Sequence, residues 1–233
     1  MHAVIVANTP DLDLAPYLAI IRAANILIAA DGGALPLLRA GLLPQIVIGD
    51  LDSLDAASAD ELAARGVELR RFPREKNETD FELALLLAVE LQATTIDVVG
   101  ALGGRWDHTL ANVWLLAHPA LVGLRVRLLA PAQTLELVRD EALISGQIGD
   151  TVSLIPLSAE VRGVTTRGLL WALDQATLAA HQARGVSNVL LEPPGNVSIR
   201  EGLLIIVHHD DGGAYQWDTP GQGRGLGAQH PKE

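Results

Sequence analysis

From its start to Ala130 the sequence alternates two kinds of apolar pattern. AVIVA (3–7), ILIAA (26–30), QIVIG (45–49), VELRRF (67–72), TIDVVG (95–100) and RVRLLA (125–130) are short apolar runs that read as strands. Between them LAPYLAIIRAA, ALPLLRAG, AASADELAARG, TDFELALLLAVELQ and DHTLANVWLLAH mostly space their apolar residues three and four apart, the period of a helix. Strands that are apolar at nearly every position, alternating with helices, predict a parallel sheet covered on both faces. Ligands of such sheets bind beyond the carboxyl ends of the strands. After Ala130-Pro131 the helical period fades. TLELVR, TVSLIPL, VTTRGLLWAL, SNVLLE, NVSIREG and LLIIVHH follow, separated by Gly, Pro and Asn, and predict an antiparallel β-sandwich. The expected fold is therefore α/β. A Rossmann-like three-layer domain over 1–130 precedes a sandwich domain over 131–210, and a Gly-rich tail over 211–233 is expected to be mobile.

Composition removes several classes of function. With 233 residues, 49% of them hydrophobic and 19% charged, the chain can bury a sizeable core. A net charge of -11 argues against a nucleic-acid partner, which calls for a basic face. The absence of cysteine excludes disulfides, thiolate zinc sites and cysteine nucleophiles together. LALLLAVEL is interrupted by Glu90, so no segment approaches the roughly 20 apolar residues of a membrane span. MHAVIVANTPD lacks the basic n-region of a signal peptide. A cytoplasmic protein with no membrane partner is the expectation.

The chemistry-bearing residues cluster at predicted strand ends. Asp31-Gly32-Gly33 follows ILIAA and opens a helix, which suits either an anion at a helix N-terminus or a tight turn with Asp31 as cap. Asp50 and Asp52, with Ser53 behind them, leave QIVIG on a loop. Two carboxylates at this spacing can share one hard cation such as Mg²⁺, and the alternative is a turn in which Ser53 or Asp55 caps the next helix. In EKNETDFELAL, Thr79 and Glu82 form a capping-box pattern, and Asp80 falls in the first helical turn. Lys76 beside Asp80 is the better candidate for a polyphosphate, while Arg70, Arg71 and Arg74 read as solvated surface. In GALGGRWDHTLAN, Gly103, Gly104 and Arg105 precede a helix whose N-cap could be Asp107, an arrangement suited to a phosphate chain. No G-x-G-x-x-G follows the first strand and no P-loop is present. His208-His209-Asp210-Asp211 looks like a metal cluster, yet neighbouring strand residues point to opposite faces.

Taken in order, ADGGA, IGDLDS, EKNETDFELAL and GALGGRWDHTLAN resemble the thiamine pyrophosphokinases, and SLIPLSAEVRGVTTRGLLWAL followed by GVSN resembles the second domain of that family. The resemblance covers about residues 1–208. It implies transfer of a diphosphoryl group from ATP to thiamine by a homodimer with active sites between subunits. It assigns Asp50, Asp52 and Asp80 to Mg²⁺, with Asp31 and Asp107 in the same polar site. Gly32, Gly33, Ser53, Lys76, Asn77, Thr79, Gly103, Gly104 and Arg105 would surround the nucleotide phosphates. Trp171 would stack on the thiamine pyrimidine, with Ser187 and Asn188 beside it. Asn77 departs from the Asp that many bacterial members carry there. Two alternatives stay open on the residues alone: a diphosphokinase for another hydroxymethyl heterocycle such as a pterin, and a sensor without turnover.

Overall fold

The computed structural model describes residues 1–9 and 11–211, so the expectation for the tail falls almost wholly outside the described residues. Six strands form the parallel part of one large sheet: β1 (His2–Val6), β2 (Ile26–Ala30), β3 (Ile46–Gly49), β4 (Glu68–Arg71), β5 (Thr95–Val99) and β6 (Arg125–Ala130). Each matches one of the apolar runs. Side chains alternate across the sheet, as period two requires. Ile5, Ile28, Ile48 and Val98 join one buried cluster, and Val4, Val6, Val47 and Val99 join the other. Because both faces are buried, β1, β2, β3 and β5 read as nearly unbroken apolar runs, whereas β4 and β6 are partly exposed and carry arginines.

The helices are α1 (Leu18–Arg22), α2 (Ala34–Arg39), α3 (Ala56–Ala64), α4 (Asp80–Glu90) and α5 (Trp106–Leu115). α4 packs on the Ile5 face through Phe81, Ala84, Leu85 and Ala88. Tyr17, Ile21, Leu37 and Leu62, from the segments around α1, α2 and α3, cover the opposite face. α1 is shorter than its apolar pattern, because Pro16 sits in a 3-10 turn over Ala15–Tyr17 that delivers the chain into it. Asp55 caps α3 by accepting from the backbone N–H of Ser58 at 2.7 Å, and Thr79 caps α4 by accepting from that of Glu82 at 3.1 Å.

The second half supplies β7 (Gln133–Val138), β8 (Glu141–Ile144), β9 (Thr151–Pro156), β10 (Glu160–Arg167), β11 (Ala176–Ala179), β12 (Asn188–Val189), β13 (Gly195–Ser198) and β14 (Leu204–His209). β7 turns back on β6 and pairs antiparallel with it, so the large sheet runs on as β4-β3-β2-β1-β5-β6-β7-β14-β9-β12. A separate four-stranded antiparallel sheet has the order β11-β10-β13-β8. Val138, Val152, Leu154, Leu204 and Ile206 of the large sheet share one buried cluster with Ile144, Val161, Val164, Leu178 and Val197 of the small one. β8 and β11 carry no strand signal of their own, being four residues each with mixed exposure. The GLLW segment, expected to continue a strand, leaves the sheet after β10. Gly168 takes φ 72° there, and a Cβ on it would meet the carbonyl oxygen of Glu192 at 2.5 Å.

Within the parallel part the order reverses between β1 and β5: β2, β3 and β4 lie to one side, β5 and β6 to the other. A crevice beyond the carboxyl ends of β1 and β5 is where such a sheet binds its ligand.

Candidate active site

β2 ends in a 3-10 turn, Asp31–Gly33, in which Asp31 takes a left-handed φ of 45° and is only 5% exposed. Gly33 is pressed against the neighbouring strand, since a Cβ on it would lie 2.0 Å from the carbonyl oxygen of Val6. β3 ends at Gly49, and Asp50 then accepts a hydrogen bond from the backbone N–H of Asp52 at 3.1 Å across Leu51, itself at φ 61°. Non-glycine residues held in this region cost energy that the surrounding fold must offset, and such residues cluster at functional sites.

One carboxylate oxygen from each of Asp31, Asp50 and Asp52 lies within 4.8 Å of the other two. Oδ1 of Asp31 is buried with no hydrogen-bond partner among the described residues. Three like charges at this spacing repel, and a buried oxygen without a partner is costly. A hard cation removes both costs, and carboxylate oxygens are donors that suit Mg²⁺, which takes its remaining ligands from phosphates and water. The residues therefore fit such an ion.

Asp80 stands in the first turn of α4, as the sequence reading put it, and comes close to Asp31. It starts α4 over Gly49, where an added Cβ would lie 2.9 Å from the Asp80 Cγ, and its Oδ1 faces Lys76 Nζ at 3.0 Å. Burial pushes the Asp80 carboxyl above its ordinary value; the Lys76 ammonium opposes the shift, and the charges of Asp31 and Asp50 reinforce it. The acids that cluster among the described residues are thus Asp31, Asp50 and Asp52, with Asp80 beside them and turned to Lys76.

A cavity of about 620 Å³ opens at the order reversal. Its wall includes Asn8 and Thr9 after β1, Asp31 after β2, Lys76, Glu78, Thr79 and Asp80 at the start of α4, and Gly103, Gly104 and Arg105 after β5. Asp31 belongs to both the acid cluster and the cavity wall, and so joins them. Gly103 and Gly104 take φ 93° and 66°, and Thr109 pins their loop to α5. Its hydroxyl accepts from the Gly103 N–H and donates to the Gly103 carbonyl, both at 3.1 Å. The N-cap residue of α5, Arg105, makes no side-chain cap; the His108 N–H donates to Asp107 Oδ1 at 3.0 Å, and the remaining first-turn N–H groups suit an anion.

Several expected residues hold other places. Asp107 is in the first turn of α5, not its N-cap, and lies outside both the acid cluster and the cavity wall. It pairs with Arg105, whose Nε donates to Asp107 Oδ1 at 3.1 Å, and the guanidinium holds its carboxyl down at about 2. Asn77 is exposed and off the wall, where Glu78 lines it instead. Ser53 caps nothing; its Oγ accepts from Asn8 Nδ2 at 3.3 Å, while Asp55 caps α3. Arg74 reaches Asp52 at 3.7 Å, a contact between exposed groups.

Trp171, Ser187 and Asn188 come together in the antiparallel half. The buried Asn188 amide grips the Trp171 backbone, accepting from its N–H at 3.0 Å and donating to its carbonyl at 2.8 Å. The indole remains 55% exposed. None of the three lines the acid-walled cavity. His208 and His209 take separate partners: His208 Nε2 meets Asp150 Oδ2 at 2.8 Å, and His209 Nδ1 faces Asp211 Oδ1 at 3.4 Å.

Sequence reading passed over Asn8, Thr9, Glu78 and Asn112. A usable signal existed for the first two, a polar Asn-Thr pair directly after the first strand. Asn112, buried on α5, donates to the Ala101 carbonyl at 2.8 Å and reads in sequence as an ordinary helix residue.

Comparisons with known proteins agree with each other. The family model "Thiamin pyrophosphokinase, catalytic domain" matches residues 17–128, and "Thiamin pyrophosphokinase, vitamin B1 binding domain" matches 134–204. A thiamine pyrophosphokinase from Bacillus subtilis (strain 168) is 28% identical over 186 residues, covering 79% of this chain and 87% of its own. Thiamine pyrophosphokinase 1 from Oryza sativa subsp. japonica is 27% identical over 232 residues, covering 88% and 86%. The crystal structure of thiamine pyrophosphokinase from Bacillus subtilis is similar with a TM-score of 0.78 at 28% identity, spanning 91% of this chain and 100% of that one. With both family models matched in order over most of its length, the chain belongs to the thiamine pyrophosphokinase family.

Proposed function

We infer that the protein transfers a diphosphoryl group from ATP to the hydroxyl of thiamine, giving thiamine diphosphate and AMP. The observation that carries this is the meeting of Asp50 and Asp52 with Asp31, which lines a cavity walled also by Lys76, Arg105 and a Gly-rich loop. In the reaction the thiamine oxygen forms a bond to the β-phosphorus, the bond from that phosphorus to the α–β bridging oxygen breaks, and AMP leaves with that oxygen. The hydroxyl proton is lost. Such transfers ask the protein mainly for alignment and for neutralisation of phosphate charge.

Mg²⁺ would be held by Asp31, Asp50 and Asp52, with Asp80 beside them. When bound it supplies charge neutralisation and Lewis acidity at the phosphate oxygens. The chain's own groups do the rest. Lys76 and Arg105 offer cationic donors to the phosphates as charge moves onto AMP, and the first turn of α5 offers its remaining backbone N–H groups. Thr79 holds the start of α4, and with it Asp80, at the wall. Gly32, Gly33, Gly103 and Gly104 let backbone come close to the ligand. Trp171 is the stacking surface for thiamine, with Asn188 and Ser187 shaping its support.

We assign the nucleotide to a Rossmann-like domain over 1–130 and thiamine to a sandwich domain over 131–210. The two family-model matches support this division. Trp171 lies off the acid-walled cavity, so the complete site is read as forming between two subunits of a homodimer. In keeping with a partner, α5 presents Trp106, Leu110 and Trp114 along one line, 77%, 52% and 56% exposed. The cytoplasm, which holds ATP and Mg²⁺, is the assigned compartment. Among the described residues no helix is long and apolar enough to cross a membrane.

The test is direct: purified protein is incubated with ATP, Mg²⁺ and thiamine, and AMP and thiamine diphosphate are resolved by chromatography. Equimolar appearance of the two is expected. AMP formed with a hydroxymethyl pterin but not with thiamine would move the protein to another diphosphokinase class, and no AMP with either would leave the sensor reading.

A further inference from the structure

We propose that Asn8 is a positioning residue for the cation site, setting the Asp50–Ser53 loop against the Asp31 loop. The proposal rests on the functional reading above. Asn8 follows β1 at the order reversal and lies outside the residues matched by the catalytic-domain family model.

Its carboxamide lies against Gly32. A Cβ built on that glycine would be 2.6 Å from Asn8 Nδ2, 2.7 Å from Cγ and 2.8 Å from Oδ1. The same Nδ2 donates to Ser53 Oγ at 3.3 Å. Gly32 directly follows Asp31, and Ser53 directly follows Asp52. One neutral side chain therefore touches the residue next to an acid on each of two loops.

Those loops carry carboxylates within 4.8 Å of each other, and their mutual repulsion opposes that approach when no cation is bound. In the Asp50–Ser53 segment Asp52 is exposed, whereas Asp31 is buried. An amide is suited to tie that segment down. It donates to the serine hydroxyl and adds no fourth negative charge, as an aspartate there would. Groups that fix metal ligands from behind typically change metal affinity by roughly tenfold or more when removed, and preorganised ligands bind more tightly because less ordering remains to be done.

The experiment uses the full chain and Mn²⁺ as probe, with free Mn²⁺ read by electron paramagnetic resonance in the absence of ATP and thiamine. Native protein is compared with Asn8→Ala, Ser53→Ala and the double variant, each checked for fold by circular dichroism. Each single variant is expected to weaken Mn²⁺ binding about tenfold, and the double to be no weaker than the worse single, because both remove one link. A dissociation constant within about twofold of native in either single variant, losses that multiply in the double, or no Mn²⁺ binding by the native chain would overturn the proposal. The functional reading fails separately. Native protein that binds Mn²⁺ but yields no thiamine diphosphate defeats that reading, whereas an active enzyme with unchanged Asn8→Ala affinity defeats only this one.

Discussion

Gly33 and Gly32 are adjacent, yet their neighbours predict different responses to one added methyl group. At Gly33 the new carbon would fall 2.0 Å from a backbone carbonyl in β1, which cannot move without disturbing the sheet. At Gly32 it would meet the Asn8 side chain, which can swing aside. Gly33→Ala should therefore cost at least about 3 kcal/mol and lower Tm markedly, while Gly32→Ala should cost about 1 kcal/mol. Chemical denaturation of both variants checks the contrast. Asp80 gives a second test at this scale. Its carboxyl titrates above the ordinary value when folded, mainly through burial, so the native chain holds that proton more tightly than the unfolded one. The stability it contributes is present at low pH and is lost as pH rises through the raised range. In metal-free protein, the Tm gain of Asp80→Asn over native should therefore be larger at about pH 7 than at about pH 4, although activity is lost. A gain that is flat with pH would contradict this. Arg105 and Asp107 show why a residue can be misplaced from sequence alone. Their pairing is local, two positions apart, and it satisfies Asp107 without a cation from another loop.

At the scale of elements, the strands of the first half and the caps of α3 and α4 were legible, because burial on both faces and capping each leave a direct mark in residue type. What was hidden is which loops converge. Asp80 and Asp31 both sit at β-α junctions, and Asp80 pairs with Lys76 at the start of α4 while the charges of Asp31 and Asp50 still act on it. β8 and β11 were equally hidden, since four-residue strands are placed by their partners more than by their own pattern. The loop after β5 gives the prediction for this scale. Thr109 holds Gly103 through two hydrogen bonds, so Thr109→Val keeps the side-chain shape and frees the loop. KM for ATP should rise about tenfold with KM for thiamine little changed, as steady-state kinetics would read.

For the whole molecule, the separation of Trp171 from the acid-walled cavity makes assembly testable. Asp52→Asn disables the nucleotide half of a site and Trp171→Ala weakens the thiamine half. If each site draws its halves from two subunits, mixing and reassociating the two impaired variants creates heterodimers in which one site is intact. Activity should recover to about a quarter of native. Recovery no greater than the sum of the separate variants would mean that both halves of a site come from one chain.

The antiparallel pairing of β6 with β7, from Arg127 opposite Glu136 to Ala130 opposite Gln133, bears on how such a protein can be divided. A gene cut between Ala130 and Pro131 falls in the tight turn between those strands, where a division into two functional halves would suggest it. Yet the cut would leave each fragment with a long strand whose backbone donors and acceptors face water on one side. Such open edges recruit any strand they meet. The fragments should therefore survive only as a co-expressed pair that rebuilds the ladder, and each alone should be sticky and poorly soluble.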